Sequence, residues 1–153
     1  MKLSGTIDVD VPAGKAWDFV NDIGRFSSCL PGLEKVTQID DRTFDGIIGA
    51  TVGPISGKFS FRSTIVENAP PKAMVVRTEG TDSVTKSAMS GDLSLTLTEL
   101  EGNRTQMAYY ADVDIKGRLA ILGDMVLRAT ATLLLEEFSR RLKRALEADV
   151  KSV

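Results

Sequence analysis

Apolar and polar residues alternate over the first eleven positions, with Leu3, Gly5, Ile7, Val9 and Val11 in one phase. A period of two predicts a strand with one buried face. Pro12 follows where a helix begins, its fixed φ suited to a first turn, and Ala13, Ala16, Trp17 and Val20 recur at helical spacing. This predicts a helix of about three turns ending near Asn21 or Asp22. Ile23 to Ser28 predicts a second, shorter helix with Asp22 as its N-cap, stopped by Pro31-Gly32.

Strand patterns then run without another strong helical segment until Arg118. Val36 and Ile39 mark one strand, and Asp40-Asp41-Arg42 a turn. Phe44, Ile48, Ala50 and Val52 line one face of the next strand, where Gly46 and Gly49 permit a bulge or strong curvature. Gly53-Pro54 turns the chain into a strand with Phe59, Phe61 and Ile65 on one face. Pro70-Pro71 breaks the pattern before Met74 and Val76, and Leu93, Leu95 and Leu97 define a further strand. After a turn at Glu101-Gly102-Asn103-Arg104, Met107, Tyr109, Ala111, Val113 and Ile115 face one way while Tyr110, Asp112, Asp114 and Lys116 face the other.

From Gly117 to Val150 the spacing becomes helical. Leu127, Ala131, Leu134, Phe138, Leu142 and Ala145 form one stripe, opposite Arg128, Thr132, Glu136, Arg140, Lys143 and Glu147. Earlier in the same stretch, Leu119, Ile121, Leu122, Met125, Val126, Ala129 and Leu133 spread around most of the circumference. That half needs cover on more than one side. A helix from 119 to 148 reaches on the order of 45 Å, enough to cross a curved sheet. The predicted order is one strand, two short helices, six strands and a long helix: an α+β domain in which a seven-stranded antiparallel sheet keeps one face in water and lays the other on the last helix.

A length of 153 residues suits one domain, residues 1–153, with one core. The net charge of −2 supplies no positive field for nucleic acid. Cys29 is the only cysteine, so no intrachain disulfide forms. With no apolar signal region at the N-terminus and no run long enough to span a bilayer, a cytoplasmic location is expected.

Histidine is absent, which removes Ser-His and Cys-His nucleophile pairs and histidine metal sites. The carboxylates offer no acid and base pair: Asp112 and Asp114 share the polar face of a strand, and Glu136-Glu137 lie on the polar side of the helix. No catalytic residue, metal site or cofactor is predicted. Gly53-Pro-Ile-Ser-Gly57-Lys58 is no phosphate loop, because its glycines are one residue too close, Phe59 replaces the Ser or Thr, and a strand follows. Asn103-Arg104-Thr105 is a glycosylation sequon only in a secreted chain. Cys29, with Arg25 as its only local cation, reads as a small buried hydrophobe. Arg140, Arg141, Lys143 and Arg144 complement the helix dipole, with contact to anionic lipid headgroups as the sharper alternative.

Val11-Pro12-Ala13 leading to Trp17, then Asp22, the Cys29-Leu30-Pro31-Gly32 turn and a glycine before the terminal helix together resemble CoxG, a carbon monoxide dehydrogenase protein family of the START-like, SRPBCC helix-grip superfamily. The resemblance covers nearly the whole chain, and the Cys-Leu-Pro-Gly turn is its most specific piece. It implies a curved sheet gripping the last helix around an apolar cavity, with the helix pair closing one end. It also implies an association with a CO-dehydrogenase-type molybdenum hydroxylase, recruitment to the cytoplasmic membrane and binding of a respiratory quinone.

On that basis the inward-facing Phe59, Phe61, Met74, Met89, Leu95, Met107, Tyr109, Leu122, Met125 and Val126 are the candidate ligand-binding residues. Methionine repacks easily, and the small Ala129, Thr130 and Ala131 leave volume. Tyr109 offers a phenolic hydroxyl to a carbonyl such as a quinone oxygen. The functional expectation is a non-enzymatic accessory protein for a quinone- or lipid-like molecule, cytoplasmic and peripheral to the inner face of the membrane. The alternatives are a polyketide-cyclase-like or hydrolase enzyme, and an assembly factor that holds no ligand.

Overall fold

The computed structural model describes residues 1–52, 55–70 and 72–151. The Gly53-Pro54 turn and Pro71 lie outside the described residues. Seven strands, β1 (Lys2–Val9), β2 (Leu33–Gln38), β3 (Thr43–Val52), β4 (Ile55–Ala69), β5 (Ala73–Asp82), β6 (Ser87–Leu100) and β7 (Arg104–Lys116), form one antiparallel sheet in the order β1-β7-β6-β5-β4-β3-β2. All neighbours but β1 and β7 are consecutive in the chain, so short turns build most of the sheet. The long connection from β1 carries α1 (Ala13–Asn21) and α2 (Ile23–Ser27). A 3-10 helix (Arg118–Leu122) and α3 (Asp124–Lys151) follow β7.

Local chemistry fixes the helix pair. Asp22 accepts a hydrogen bond from the Arg25 backbone N–H at 3.3 Å and so caps α2. The turn after α2 needs Gly32, whose φ of +83° is left-handed and whose hydrogens face the Gly49 carbonyl so closely that a Cβ would collide with it. In return the Gly49 N–H donates to the Gly32 carbonyl at 2.9 Å, tying the turn to β3.

Sheet, α1 and the second half of α3 enclose the main core. Val9, Val11, Ala16, Met107, Leu142 and Leu146 are all but sealed from solvent, with Phe138 and Ala145 packed on them. Thr105 sits fully buried there because its hydroxyl donates to the Val11 carbonyl at 2.7 Å. The second half of α3 is thus the grip that its amphipathic stripe predicts.

The first half differs from the expected continuous helix. Gly123, at φ +88°, separates the 3-10 helix from α3, whose first half turns Leu127 to the sheet and leaves Met125 86% and Leu133 66% exposed. Among the described residues nothing covers that surplus of apolar surface. Only Leu119, held by its backbone N–H donating to the Ser87 hydroxyl at 3.1 Å, is buried in this region.

Candidate functional site

A cross-strand register places side chains in rows across the sheet, and on the inner face these rows change character. One row runs Leu3, Ala111, Leu93, Val76 and Ile65, all apolar. The next runs Val113, Gly91, Thr78, Ser63 and Phe44. The one after it runs Ile115, Met89, Gly80, Phe61 and Gly46. Gly91, Thr78, Ser63 and Gly80 therefore form a trough of small residues across β4, β5 and β6. Small side chains keep this row low, with the space beside the glycines partly taken: a Cβ at Gly91 would lie 2.9 Å from the Asp112 carbonyl oxygen, and one at Gly80 3.1 Å from the Phe61 Cβ.

The trough divides the apolar interior. On one side lies the main core. On the other, Phe59 and Leu119 are buried together, with Ile48, Met89, Ile115, Leu122 and Leu127 packed around them. This second cluster is a small satellite of the main core, across the low row from it. Thr78 and Ser63 put hydroxyls into that row, 2.7 Å apart and bonded to each other. One hydroxyl donates to the other, so the pair keeps one O–H donor for a third group.

The candidate residues divide between these environments. Met74, Leu95 and Met107 are buried in the main core, and Tyr109 lies half-buried at its edge. Phe59, Met89 and Leu122 belong to the second cluster. Phe61 is buried between them, its ring lying over Gly46 and meeting Phe44 edge-on with centroids 6.5 Å apart. Met125 and Val126 stand outside both clusters, 86% and 37% exposed. The phase of α3 after Gly123 turns Leu127 towards the sheet instead. Ser63, Thr78, Gly80 and Gly91 were not among the candidates, although the phase of Phe59-Phe61 and of Met74-Val76 carries Ser63, Thr78 and Gly80 onto the inner face.

Tyr109 is extended across β1, over Gly5, so that its ring occupies the space of the missing side chain. Its hydroxyl has no hydrogen-bond partner among the described residues. The near end of the trough is closed by a polar knot. Asp82, 3% exposed, accepts from the Lys58 N–H at 3.2 Å, the Val84 N–H at 2.8 Å and the Thr85 hydroxyl at 3.1 Å. Burial pushes its carboxyl up, but these bonds together outweigh burial and hold it below the usual aspartate range. Asp82 is thus fully engaged in structure.

Cys29 is buried, and burial pushes its thiol up despite the Ser28 hydroxyl and the Arg141 and Arg25 charges. That favours the neutral thiol over the thiolate. Arg140 and Arg141 both pair with Glu137 at 2.9 Å, and the Arg141 hydrogen bond, followed by the Arg140 and Arg144 charges, holds the Glu137 carboxyl low against its desolvation. No three acidic or cysteine side chains among the described residues converge on a metal-sized space. None of the described helices is long and apolar enough to cross a membrane.

The outer face carries its own concavity, an open groove of about 780 Å³ crossed by Lys35, Asp45, Arg62, Glu79, Asp114 and Lys116. Arg62 grips Asp45 through both carboxylate oxygens at 2.7 and 2.9 Å, and Lys116 pairs with Asp114 at 3.8 Å. Ile39, Ile47, Phe61, Ala88 and Met89 line it along with those charges, so its walls mix apolar and charged surface.

Comparison with known proteins agrees with this architecture. A conserved protein from Geobacillus kaustophilus has the same fold at a TM-score of 0.87, with 18% identity and 95% of each chain covered. A START superfamily protein from Mycobacterium smegmatis follows at 0.70, with 14% identity over 96% of this chain and 97% of that one. An aromatase/cyclase from a Streptomyces species gives 0.61, with 18% identity over 99% and 93%. No match was found among curated protein sequences. These identities establish the START-like helix-grip fold alone. In sequence, residues 5–147 match the carbon monoxide dehydrogenase family CoxG. The chain belongs to the CoxG family.

Proposed function

We propose that this protein binds an apolar or amphipathic small molecule, quinone-like or lipid-like, in the trough between the sheet and α3. In this reading it serves a CO-dehydrogenase-type molybdenum hydroxylase as an accessory protein and is not itself a catalyst. The observation that carries the proposal is the row Gly91, Thr78 and Ser63, which splits the interior into two apolar clusters. Burying a ligand's apolar surface there at roughly 25 cal/mol per Å² supplies the driving force. The Ser63-Thr78 hydroxyl pair supplies orientation for a carbonyl or headgroup oxygen.

Family membership supports the enzyme partner. A cytoplasmic location at the inner face of the membrane belongs to the same proposal, because ligands of this class partition into bilayers. The exposed Lys143 and Arg144 at the far end of α3 carry the charge for headgroup contact, each contributing about 1 kcal/mol near an anionic surface. A cyclase or hydrolase role requires converging ionisable groups, and the trough offers hydroxyls.

The test is native mass spectrometry, with solvent extraction, of the protein purified from its own host. One hydrophobic molecule per chain is expected. A ligand-free protein that also fails to bind a short-chain quinone or a fatty acid saturably would overturn the proposal.

A further inference from the structure

The stretch between β7 and α3 is bounded by two glycines in a backbone region that is essentially glycine's alone. Gly117 has φ +89° and ψ −153°, and Gly123 has φ +88° and ψ 159°. A Cβ at Gly117 would collide with the Lys86 carbonyl oxygen, whereas one at Gly123 would meet nothing within 4 Å. One end of the 3-10 helix is therefore packed tightly on the turn before β6, and the other has room to rotate. Between them, Leu119 and Leu122 stand three residues apart and share one face of the 3-10 turn. That face belongs to the cluster with Phe59, Met89 and Ile115, while Arg118, Ala120 and Ile121 are exposed. Met89 and Ile115 pair across β6 and β7 in the row adjoining the trough.

Among the described residues, one hydrogen bond ties residues 118–122 to the sheet, from the Leu119 N–H to the Ser87 hydroxyl at 3.1 Å. Counting protons fixes the direction of the bonds behind it. The ionised Asp82 carboxylate only accepts, so Thr85 gives its single hydroxyl hydrogen to Asp82 at 3.1 Å. The 3.0 Å contact between Thr85 and Ser87 then uses the Ser87 hydrogen, which leaves the Ser87 lone pairs for Leu119. All three side chains are buried. The bonds run head to tail from the Leu119 N–H through Ser87 and Thr85 to a buried charge, and each polarises the next.

We propose that residues 118–122 are a lid on this end of the trough, turning about Gly117 and Gly123 and latched by the Leu119 N–H on Ser87. Opening lifts Leu119 and Leu122 from Phe59, Met89 and Ile115 and gives an apolar molecule a way in. The lid's service to a ligand rests on the binding role proposed for the trough; its opening does not.

Thiol labelling of Leu119→Cys tests this, because the buried Cys29 in the same chain reports global unfolding. The introduced thiol is expected to react at least about a hundredfold faster than Cys29. Ser87→Ala should speed it roughly fivefold, as for one net hydrogen bond, and leave Cys29 unchanged. Thr85→Val, which removes no bond to the lid, should speed it too, by less. In the wild type the Leu119 amide should exchange its hydrogen faster than the core amide of Met107 by a similar factor, without any substitution in the lid. A saturating short-chain quinone should slow the introduced thiol by holding the lid shut over an occupied trough. Equal rates at the two thiols, or a Leu119 amide as slow as that of Met107, overturn the proposal. So does a Ser87→Ala effect shared by Cys29, or a quinone that binds by calorimetry and leaves the introduced thiol's rate unchanged. Thr85→Val without effect overturns the relay to Asp82. A quinone that does not bind at all overturns the binding role of the trough instead, while the rates without ligand still decide whether the lid opens.

Discussion

The Tyr109 ring lies across Gly5, where a Cβ built on the glycine would fall 2.5 Å from the phenolic oxygen and 2.7 Å from the ring carbon that bears it. The two residues are paired across β1 and β7, so the glycine is the reason the ring can lie flat at the edge of the core. Gly5→Ala is expected to swing the ring towards the trough at a cost of about 1–3 kcal/mol. In a Tyr109→Leu background the same substitution should cost much less. Thermal denaturation of both singles and the double gives the coupling directly, and additive effects would contradict the packing described.

The fully buried positions of α3, Leu142 and Leu146, lie in its second half, which predicts an asymmetry along one helix. Leu142→Ala, at a position 1% exposed, is expected to cost about 2–5 kcal/mol. Met125→Ala, 86% exposed, should change stability by less than about 0.5 kcal/mol. Urea denaturation of the two variants measures both.

Acid stability should depend on Asp82. Its carboxyl titrates lower in the folded chain than in the unfolded one, so its stabilisation is fully present above the unfolded value and is lost as pH falls through the folded value. With an unfolded aspartate near 3.9, the loss is expected below about pH 4. Asp82→Asn should lower the melting temperature by several degrees at neutral pH and flatten its fall between about pH 4 and pH 2. An unchanged acid profile would show that the knot with Lys58, Val84 and Thr85 is not formed in solution.

Much of this fold was legible from residue patterns. Alternation from Leu93 to Leu97 and from Met107 to Ile115 gave the strand phases, and Asp22 and Pro31-Gly32 gave the limits of α2, because each signal is local. The break at Gly123 was less visible, since one glycine inside a helical pattern costs only about 1 kcal/mol and reads as tolerated. Met125 and Val126 were expected in the interior for that reason: the break resets the helical phase that placed them there. The trough was illegible for a different reason. Gly91, Thr78 and Ser63 are ordinary residues in three separate strands, and only the register of β4, β5 and β6 aligns them. The family resemblance supplied the expectation of a cavity, whereas apolar faces alone favour a filled core.

Ligand orientation by the hydroxyl row leads to a selective effect. Replacing Ser63 and Thr78 together by Ala and Val removes both partners of one hydrogen bond, so stability should change by no more than about 1 kcal/mol. Affinity for a quinone, whose carbonyls need a donor, should fall several-fold, while affinity for a pure hydrocarbon probe should not. Calorimetric titration of both ligands into wild type and variant separates the two effects. Equal losses for the two would contradict an orienting role.

The site itself is tested most directly by a ¹H–¹⁵N NMR titration of the intact chain with a short-chain quinone. Binding in the trough predicts saturable shifts at the amides of Ser63, Thr78, Gly80, Gly91 and Val113, which share the inner face. Shifts confined to Lys35, Arg62 and Glu79 in the outer groove, or no saturable shifts at all, would contradict it.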